Sequence, residues 1–210
     1  MRTFPAAIFL LLLSGCSALK PAVSEPPKHY SLAAVRDNLP SAVGSAPAAP
    51  AAPAATTLIV SPPHASAGFD SHHIMYLRQP GQLEHFAYSE WVDTPARMLA
   101  PMIVSAIQDK GAFRAVVQTP SPATGEMRLD TEILQLQQEF FSIPSRVRFG
   151  LRVYLVENAT RRVIATREFE ATVASASEDP QGGVVAAGRA VQSVLEQLAV
   201  FCAEAALNRR

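Results

Sequence analysis

The residues that could bind a metal or act in catalysis are five histidines, two cysteines and scattered Ser and Asp residues. His72 and His73 are adjacent, so on a β-strand their side chains point to opposite faces, and His85 could join only one of them. No group of carboxylates or cysteines completes a zinc-binding set around them. The sequence has neither the Gly-x-Ser-x-Gly motif of a nucleophile elbow nor a phosphate-binding glycine loop. We therefore predict no metal, no cofactor and no enzymatic activity.

Cys16 stands in a pattern that predicts covalent lipidation. Arg2 and the apolar run 6–13 lead into Leu13-Ser14-Gly15-Cys16, and the run is shorter than the roughly 20 residues of a membrane span. This pattern resembles the lipobox of bacterial lipoproteins, in which the signal is cut before the cysteine and both its thiol and its new amino group are acylated. The resemblance implies that Cys16 anchors the mature protein through three acyl chains, more than stable anchoring requires. An ordinary secretory signal with a chance cysteine is the alternative.

The composition indicates one neutral domain behind this segment. The chain has 210 residues with 18 basic and 18 acidic side chains, and processing would remove the first 15. Zero net charge gives no sign of the basic stripe of a nucleic-acid-binding surface. No second apolar run approaches the length of a membrane span, so the remaining chain is expected to be soluble. Since Cys16 is committed to lipid, Cys202 lacks an intramolecular partner and is expected to lie in the core.

Proline marks two extended segments of the chain. Residues 17–27 contain three prolines and form a predicted tether, whose eleven residues reach about 35–40 Å when fully stretched. Proline also recurs every third residue in a Pro/Ala-rich insert at 40–57, which favours an extended spacer. The predicted organisation is a signal peptide at 1–15, a lipidated tether at 16–27 and one domain at 28–208.

Short strands and a hairpin are predicted in the first half of the domain. Alternating residues before and after Gln79-Pro80-Gly81-Gln82 predict two strands, at 72–78 and 83–88. The four residues between them fit a type II turn, with glycine where φ must be positive. Further short strands are predicted at 28–32, 58–60 and 113–118.

A helix is predicted after Thr94-Pro95, because threonine can supply the N-cap acceptor and proline fits the first turn. Apolar residues then recur at helical spacing over 98–107, and Gly111 ends the pattern. Pro101 lies inside this helix and is expected to kink it or to delay its regular start.

The second half begins with a long predicted strand at 128–141. Its apolar positions change parity near Ile133-Leu134, which indicates a β-bulge. The last helix is predicted after Asp179-Pro180, with one apolar stripe. The stripe contains Val184, Val191, Leu195, Leu198 and Cys202.

Between these two elements, residues 147–155 and 163–173 alternate and predict a hairpin. A turn near Ala159 would place Arg148 opposite Glu170. The charged residues of the hairpin are expected to neutralise one another on a solvated face: Arg146, Arg148, Arg152, Glu168 and Glu170. Together the elements predict an α+β fold, an antiparallel β-sheet with two main helices packed on one face, in a single domain.

The order of short motifs along the chain resembles the auxiliary lipoproteins of ABC-type transport systems, a group that includes the PqiC-like lipoproteins. The resemblance covers most of the mature chain, and the insert after Leu39 departs from it. The motifs are Tyr30-x-Leu32, Leu58-Ile59-Val60-x-Pro62, Asp70-x-x-x-Ile74-x-Tyr76, the strand from Leu83 to Tyr88, Trp91-x-x-x-Pro95 and Gly111-x-Phe113.

This resemblance implies a non-enzymatic subunit with no catalytic residues to assign. It implies partners, namely an ABC permease, its ATPase and a substrate-binding protein with mammalian-cell-entry (MCE) domains, and a lipid cargo moved between the inner and outer membranes. The cargo, its direction and a homo-oligomeric state are left open. Ser17 at the second mature position resembles an outer-membrane sorting signal and implies an anchor in the outer membrane, facing the periplasm.

Two other functions compete with this hypothesis. One is a structural lipoprotein that assists outer-membrane assembly without a transporter, and the other is a periplasmic hydrolase. For the leading hypothesis, the expected partner surface is the exposed side of the 72–88 hairpin and its approach to Trp91. Tyr76, Tyr88 and Trp91 are the candidate contact residues, because aromatic residues are enriched at binding hot spots. For Tyr76 and Trp91 the favoured interpretation is that they pack the hairpin against the first helix.

Overall fold

The structure, a computed structural model, describes residues 26–32 and 56–207, which fold into one α+β domain. Cys16, the signal peptide and residues 40–55 of the Pro/Ala-rich insert lie outside the described residues. The strands are β1 (Lys28–Tyr30), β2 (Thr57–Val60), β3 (His64–Ala65), β4 (His73–Leu77), β5 (Leu83–Trp91), β6 (Ala115–Gln118), β7 (Met127–Glu139), β8 (Arg146–Glu157) and β9 (Arg162–Ala174). The helices are α1 (Pro95–Gln108) and α2 (Pro180–Leu207).

Strand β7 organises the sheet, because every other part of the sheet is built outward from its two edges. Along one edge β7 pairs antiparallel with β8 over its whole length, and β8 pairs with β9. Along the other edge it pairs in parallel with β2, then β3, then β4. The sheet is therefore mixed, which corrects the expected purely antiparallel sheet. Parallel strands are joined by long crossover connections, so a local hairpin pattern in the sequence does not predict their pairing.

The predicted bulge in β7 is confirmed. Ile133 pairs with Leu151 and Gln135 with Gly150, which leaves Leu134 without a partner across the ladder. The extra residue shifts the side-chain alternation by one position. Because of this shift, Ile133 and the later Leu136 both lie in the core, as the change of apolar parity predicted.

The β8–β9 hairpin has a different register from the predicted one. Arg148 pairs with Thr172, and its Nη1 reaches Glu170 Oε1 only diagonally, at 3.5 Å. A second register shift between Leu155 and Val156 leaves Ile164 unpaired. These shifts follow from the conformation of the turn, which a count of turn residues does not determine.

The predicted turn between β4 and β5 is confirmed. Gly81 has a φ of +80°, and the backbone N–H of Gln82 donates to the carbonyl of Gln79 at 3.2 Å. Glycine suits this position because other L-residues are strained at positive φ. The turn returns the chain antiparallel, so that Leu83 pairs with Leu77.

Helix α1 begins at Pro95 as predicted, but the hydroxyl of Thr94 makes no capping hydrogen bond. Its carbonyl accepts the N–H of Met98 instead, while the fixed φ of Pro95 starts the helix. Pro101 does not delay the start, because the helix is already regular from Pro95. Pro101 is exposed, so the carbonyl that loses its donor there lies on the solvent side of the helix.

The predicted cap of α2 is confirmed. Asp179 Oδ1 accepts the backbone N–H of Gly182 and the hydroxyl of Ser177, both at 2.7 Å. The Gly182 hydrogen bond is the main reason that the pKa of Asp179 lies below its ordinary value. The carboxylate therefore satisfies one of the free N–H groups at the helix start.

Helix α2 is long and apolar enough to cross a membrane by length and composition, with a mean hydropathy of 1.3. This corrects the expectation that no second apolar run approaches membrane length, since alanines raise the hydropathy without a conspicuous run. In the fold the helix packs on β8 and β9. Its predicted apolar stripe is buried, which identifies α2 as a core helix: Val184, Val191, Leu195, Leu198 and Cys202.

The two helices give the sheet two different surfaces. The covered face of β7–β9, which packs against the helices, holds fully buried residues such as Phe149, Leu151 and Leu155. The open face of the same strands holds the residues that alternate with them, including Arg148 and Arg152. The predicted alternation of β8 is confirmed by this division.

Candidate docking surface

The three aromatic residues predicted to meet a partner occupy different environments. Trp91 is 3% exposed, Tyr76 is 6% exposed and Tyr88 is 61% exposed. Only Tyr88 of the three presents most of its side chain to solvent. The sequence pattern does not distinguish them, because an aromatic residue has the same preference for a core and for an interface.

Tyr76 joins the β4–β5 hairpin to the end of β7. Its hydroxyl donates to Glu84 Oε2 at 2.9 Å and accepts from Arg78 Nη2 at 2.9 Å. Its ring lies 4.5 Å from that of Phe86 and 5.8 Å from that of Phe140, measured between centroids. The hydroxyl of Tyr76 is therefore hydrogen-bonded, and its ring is packed against other aromatic rings.

Trp91 closes the hairpin at its other end. It is the last residue of β5, and its backbone N–H donates to the carbonyl of His72 at 2.7 Å. On its outer side it pairs with Tyr30 of β1. Its indole belongs to the hydrophobic core together with Ile74. Trp91 therefore supports the hairpin from within.

Tyr88 belongs to an exposed group of residues at the edge of the sheet, which we call the edge patch: Tyr88, Val92, Glu90, His73 and His85. Tyr88, Glu90 and Val92 alternate with the buried Ser89 and Trp91, so they point away from the core. Val92 is 51% exposed. The patch thus combines an aromatic and an aliphatic side chain with polar neighbours.

The two histidines of the edge patch stack on each other instead of converging on an ion. The rings of His73 and His85 are 4.2 Å apart with an angle of 24° between their planes. His73 Nδ1 lies 3.9 Å from Glu90 Oε1. The nitrogen lone pair with which a histidine binds a metal lies in the plane of the imidazole ring. Two stacked rings therefore do not direct their lone pairs at a common point. Within residues 26–32 and 56–207, no group of three potential metal ligands is present.

The backbone beside the edge patch is also available for contact. Strand β1 pairs only with Ser89, Glu90 and Trp91 of β5. Over residues 83–88 the outer edge of β5 has no strand partner within the described part of the chain. An open strand edge offers N–H and C=O groups to an added strand from another protein.

Arg148 and Arg152 form ion pairs within the open face, as predicted, whereas Arg146, which belonged to the same predicted set, forms none among the described residues. Arg148 lies between Glu139, at 3.1 Å, and Glu170, at 3.5 Å. Arg152 bridges Glu132 and Glu168 in the same way, at 3.1 and 2.8 Å. The hydrogen bond with Glu168 is the main cause of the raised pKa of Arg152. Each of these two arginines lies between two carboxylates, so neither offers an unpaired positive charge to a partner.

Comparison with known protein families identifies the family of this chain. The sequence profile described as "ABC-type transport auxiliary lipoprotein component" matches residues 38–199. The chain belongs to this family. The match includes every strand from β2 onward, both helices up to Ala199 and the whole edge patch.

Solved structures support the fold of this auxiliary lipoprotein. Protein XCC0632 from Xanthomonas campestris is similar with a TM-score of 0.70 and 22% identity, over 78% of this chain and 91% of the other. A second solved protein, titled only as uncharacterized, is similar with a TM-score of 0.63 and 13% identity, over 85% and 99% of the two chains. At these identities the likeness concerns the fold alone. No functionally curated protein matches the sequence significantly.

The structure of the auxiliary lipoprotein also reveals an exposed apolar group that the sequence interpretation missed. We call it the tip: the β4–β5 turn with Leu83 and the β7–β8 turn with Phe141 and Ile143. These side chains are 39%, 49% and 91% exposed. The two turns are neighbours because Leu77 of β4 pairs with both Leu83 and Glu139. A signal was present in the sequence for Ile143, which stands between Ser142 and Pro144, whereas Phe141 was assigned to the end of the predicted strand.

Cys202 lies in the core of the auxiliary lipoprotein, as expected. Its thiol is fully buried, and burial raises its pKa to about 12. A thiol with such a pKa remains protonated in the physiological range and is a poor nucleophile. Cys202 is therefore a packing residue of α2.

Proposed function

We propose that this auxiliary lipoprotein is a non-enzymatic subunit of an MCE-linked ABC system that moves lipid between the inner and outer membranes. The observation that carries the proposal is the family match over residues 38–199, downstream of the Leu13-Ser14-Gly15-Cys16 motif. In this proposal acylated Cys16 holds the domain on the periplasmic side of the outer membrane. Ser17 at the second mature position supports outer-membrane sorting.

The fold supports a role in binding. The sheet and helices form one continuous core, and the most perturbed thiol, Cys202, lies inside that core. The exposed His73 and His85 stack on each other, and His73 lies near Glu90. What the surface offers a second protein is the edge patch, with Tyr88 at its centre and an open strand edge beside it. We propose this patch as the contact with the MCE-domain protein.

The anchor is tested by labelling with a fatty-acid analogue in cells. The wild-type chain should incorporate label, and Cys16→Ala should lose it and remain soluble or uncleaved. Cys202→Ala is the matched control, because it removes the other cysteine and should keep the label. Undiminished label on Cys16→Ala would reject the anchor.

The partner and the location need separate measurements. The acylated protein should co-purify with the MCE-domain protein and should fractionate with the outer membrane. Recovery mainly with the inner membrane would reject the sorting role of Ser17. An anchored protein that never co-purifies with the MCE-domain protein would favour the structural lipoprotein without a transporter.

A further inference from the structure

The tip carries large apolar side chains, and hydrogen bonds fix the backbone at both ends of its β7–β8 turn. The N–H of Phe140 donates to the carbonyl of Leu77 at 2.9 Å, which fixes the start of the β7–β8 turn. At its end the N–H of Ser145 donates to Glu178 Oε1, also at 2.9 Å. Ser145 is fully buried and its hydroxyl accepts from Gln138 Nε2. Ile143 is therefore presented to solvent by an anchored turn.

Cationic side chains border these apolar groups. Arg146 is exposed, and among the described residues its side chain has no hydrogen bond or ion pair. It lines a cleft of about 290 Å³ beside Phe141. Arg78, in the other turn, contacts only the ring and hydroxyl of Tyr76 within the described chain. Glu139 lines the same cleft but pairs with Arg148. Glu178 accepts from the N–H of Ser145, and Asp179 caps α2.

The direction of β1 points the start of the described chain toward the tip. Strand β1 runs parallel to β5, with Lys28 opposite Ser89 and Tyr30 opposite Trp91. Strand β5 starts at the tip, at Leu83, and runs away from it. The N-terminal end of β1, at Lys28, therefore faces the tip end of the sheet. Only about ten residues separate Cys16 from Pro27, and they span at most about 36 Å.

We infer that the tip rests in the headgroup region of the membrane that holds acylated Cys16. The inference rests on the anchor proposed above and adds an orientation to it, with the β7–β9 strands rising from the membrane. Aromatic and aliphatic side chains flanked by arginine are the combination that the membrane interface favours. Arg78 and Arg146, which form no ion pair among the described residues, suit the phosphates of anionic lipids.

The test uses the full acylated chain in vesicles of phosphatidylethanolamine and phosphatidylglycerol. A tryptophan reporter is placed at the tip by Ile143→Trp and, in a second variant, by Leu83→Trp. The matched control is Val163→Trp, since Val163 is 52% exposed and lies at the far end of β9, about 40 Å along the strands. The native Trp91 is buried and gives the same background in all variants. Lipids brominated near the headgroup serve as quenchers.

The tip reporters should lose emission to the brominated lipids and shift to shorter wavelength, whereas the Val163→Trp reporter should do neither. Unchanged melting temperatures for the tip variants show that the fold is intact. Flotation of the wild-type protein with the vesicles tests the anchor separately. If the protein floats but tip and control reporters are equally unquenched, the tip inference is overturned and the anchor stands. Loss of flotation would overturn both. If the emission of the tip reporters shifts only when the MCE-domain protein is added, the tip contacts that protein and not the membrane.

Discussion

The covered and open faces of β7–β9 use alternate residues of the same strands for different purposes. Leu151 is fully buried under the helices, whereas its neighbour Arg152 lies on the open face between two carboxylates. Burying a large aliphatic side chain contributes about 1.5–3 kcal/mol, whereas exposed ion pairs in general contribute about 0–1 kcal/mol. The comparison teaches that stability resides on the covered face, which leaves the edge patch free to serve binding.

The largest effect is expected from Leu151→Ala. The substitution removes side-chain atoms from a site with no exposure, so it should lower the free energy of unfolding by about 2–5 kcal/mol. Denaturant unfolding measures this change. A midpoint equal to that of the wild type would show that the covered face is not where stability resides.

A smaller loss is expected where the helix that covers the sheet begins. Asp179→Ala removes the N-cap of α2 and should cost about 0.5–2 kcal/mol. Because folding lowers the pKa of Asp179, its contribution is present above the pKa of the unfolded chain and is lost as pH falls through the folded value.

Melting temperatures of the wild type and Asp179→Ala should therefore converge in acid, below the pKa of about 4 that is ordinary for aspartate. A difference between the two melting temperatures that stays constant down to acidic pH would contradict a role for the ionised carboxylate. Glu204→Ala, at an exposed position near the end of the same helix, is the control and should give no such gap.

On the open face, Arg152→Ala should shift the unfolding midpoint much less than Leu151→Ala, although it breaks contacts with both Glu132 and Glu168. Solvent and salt screen such exposed charges, so the shift should shrink further at high ionic strength. A loss comparable to that of Leu151→Ala would remove the distinction between the faces.

The smallest effect on stability is expected in the edge patch, where binding should respond instead. Tyr88→Ala should leave the melting temperature unchanged and weaken binding to the MCE-domain protein, by about 2 kcal/mol or more if Tyr88 is a hot spot. Titration calorimetry gives the Kd, and Val163→Ala is the control at the opposite edge of the sheet. A lowered melting temperature with a proportionate loss of binding would assign Tyr88 to the core.

The sequence by itself determined the local features of this protein. The alternation of β8, the bulge after Ile133, the turn at Gly81 and the cap at Asp179 each depend on residues a few positions apart, so their patterns are visible in the chain. The family resemblance likewise rests on short motifs. For the candidate site, the sequence proposed three aromatic residues of the hairpin, favoured packing for Tyr76 and Trp91, and left Tyr88 as the residue to test for docking.

Only the tertiary structure decided how distant segments meet. The parallel pairing of β2, β3 and β4 with β7 joins segments separated by about 60 to 70 residues. That pairing buries Tyr76 and Trp91 and leaves Tyr88 exposed. It also brings the β4–β5 and β7–β8 turns together as the tip, on the side from which the chain enters β1. Such placements depend on packing between remote residues, which the local spacing of side chains does not encode.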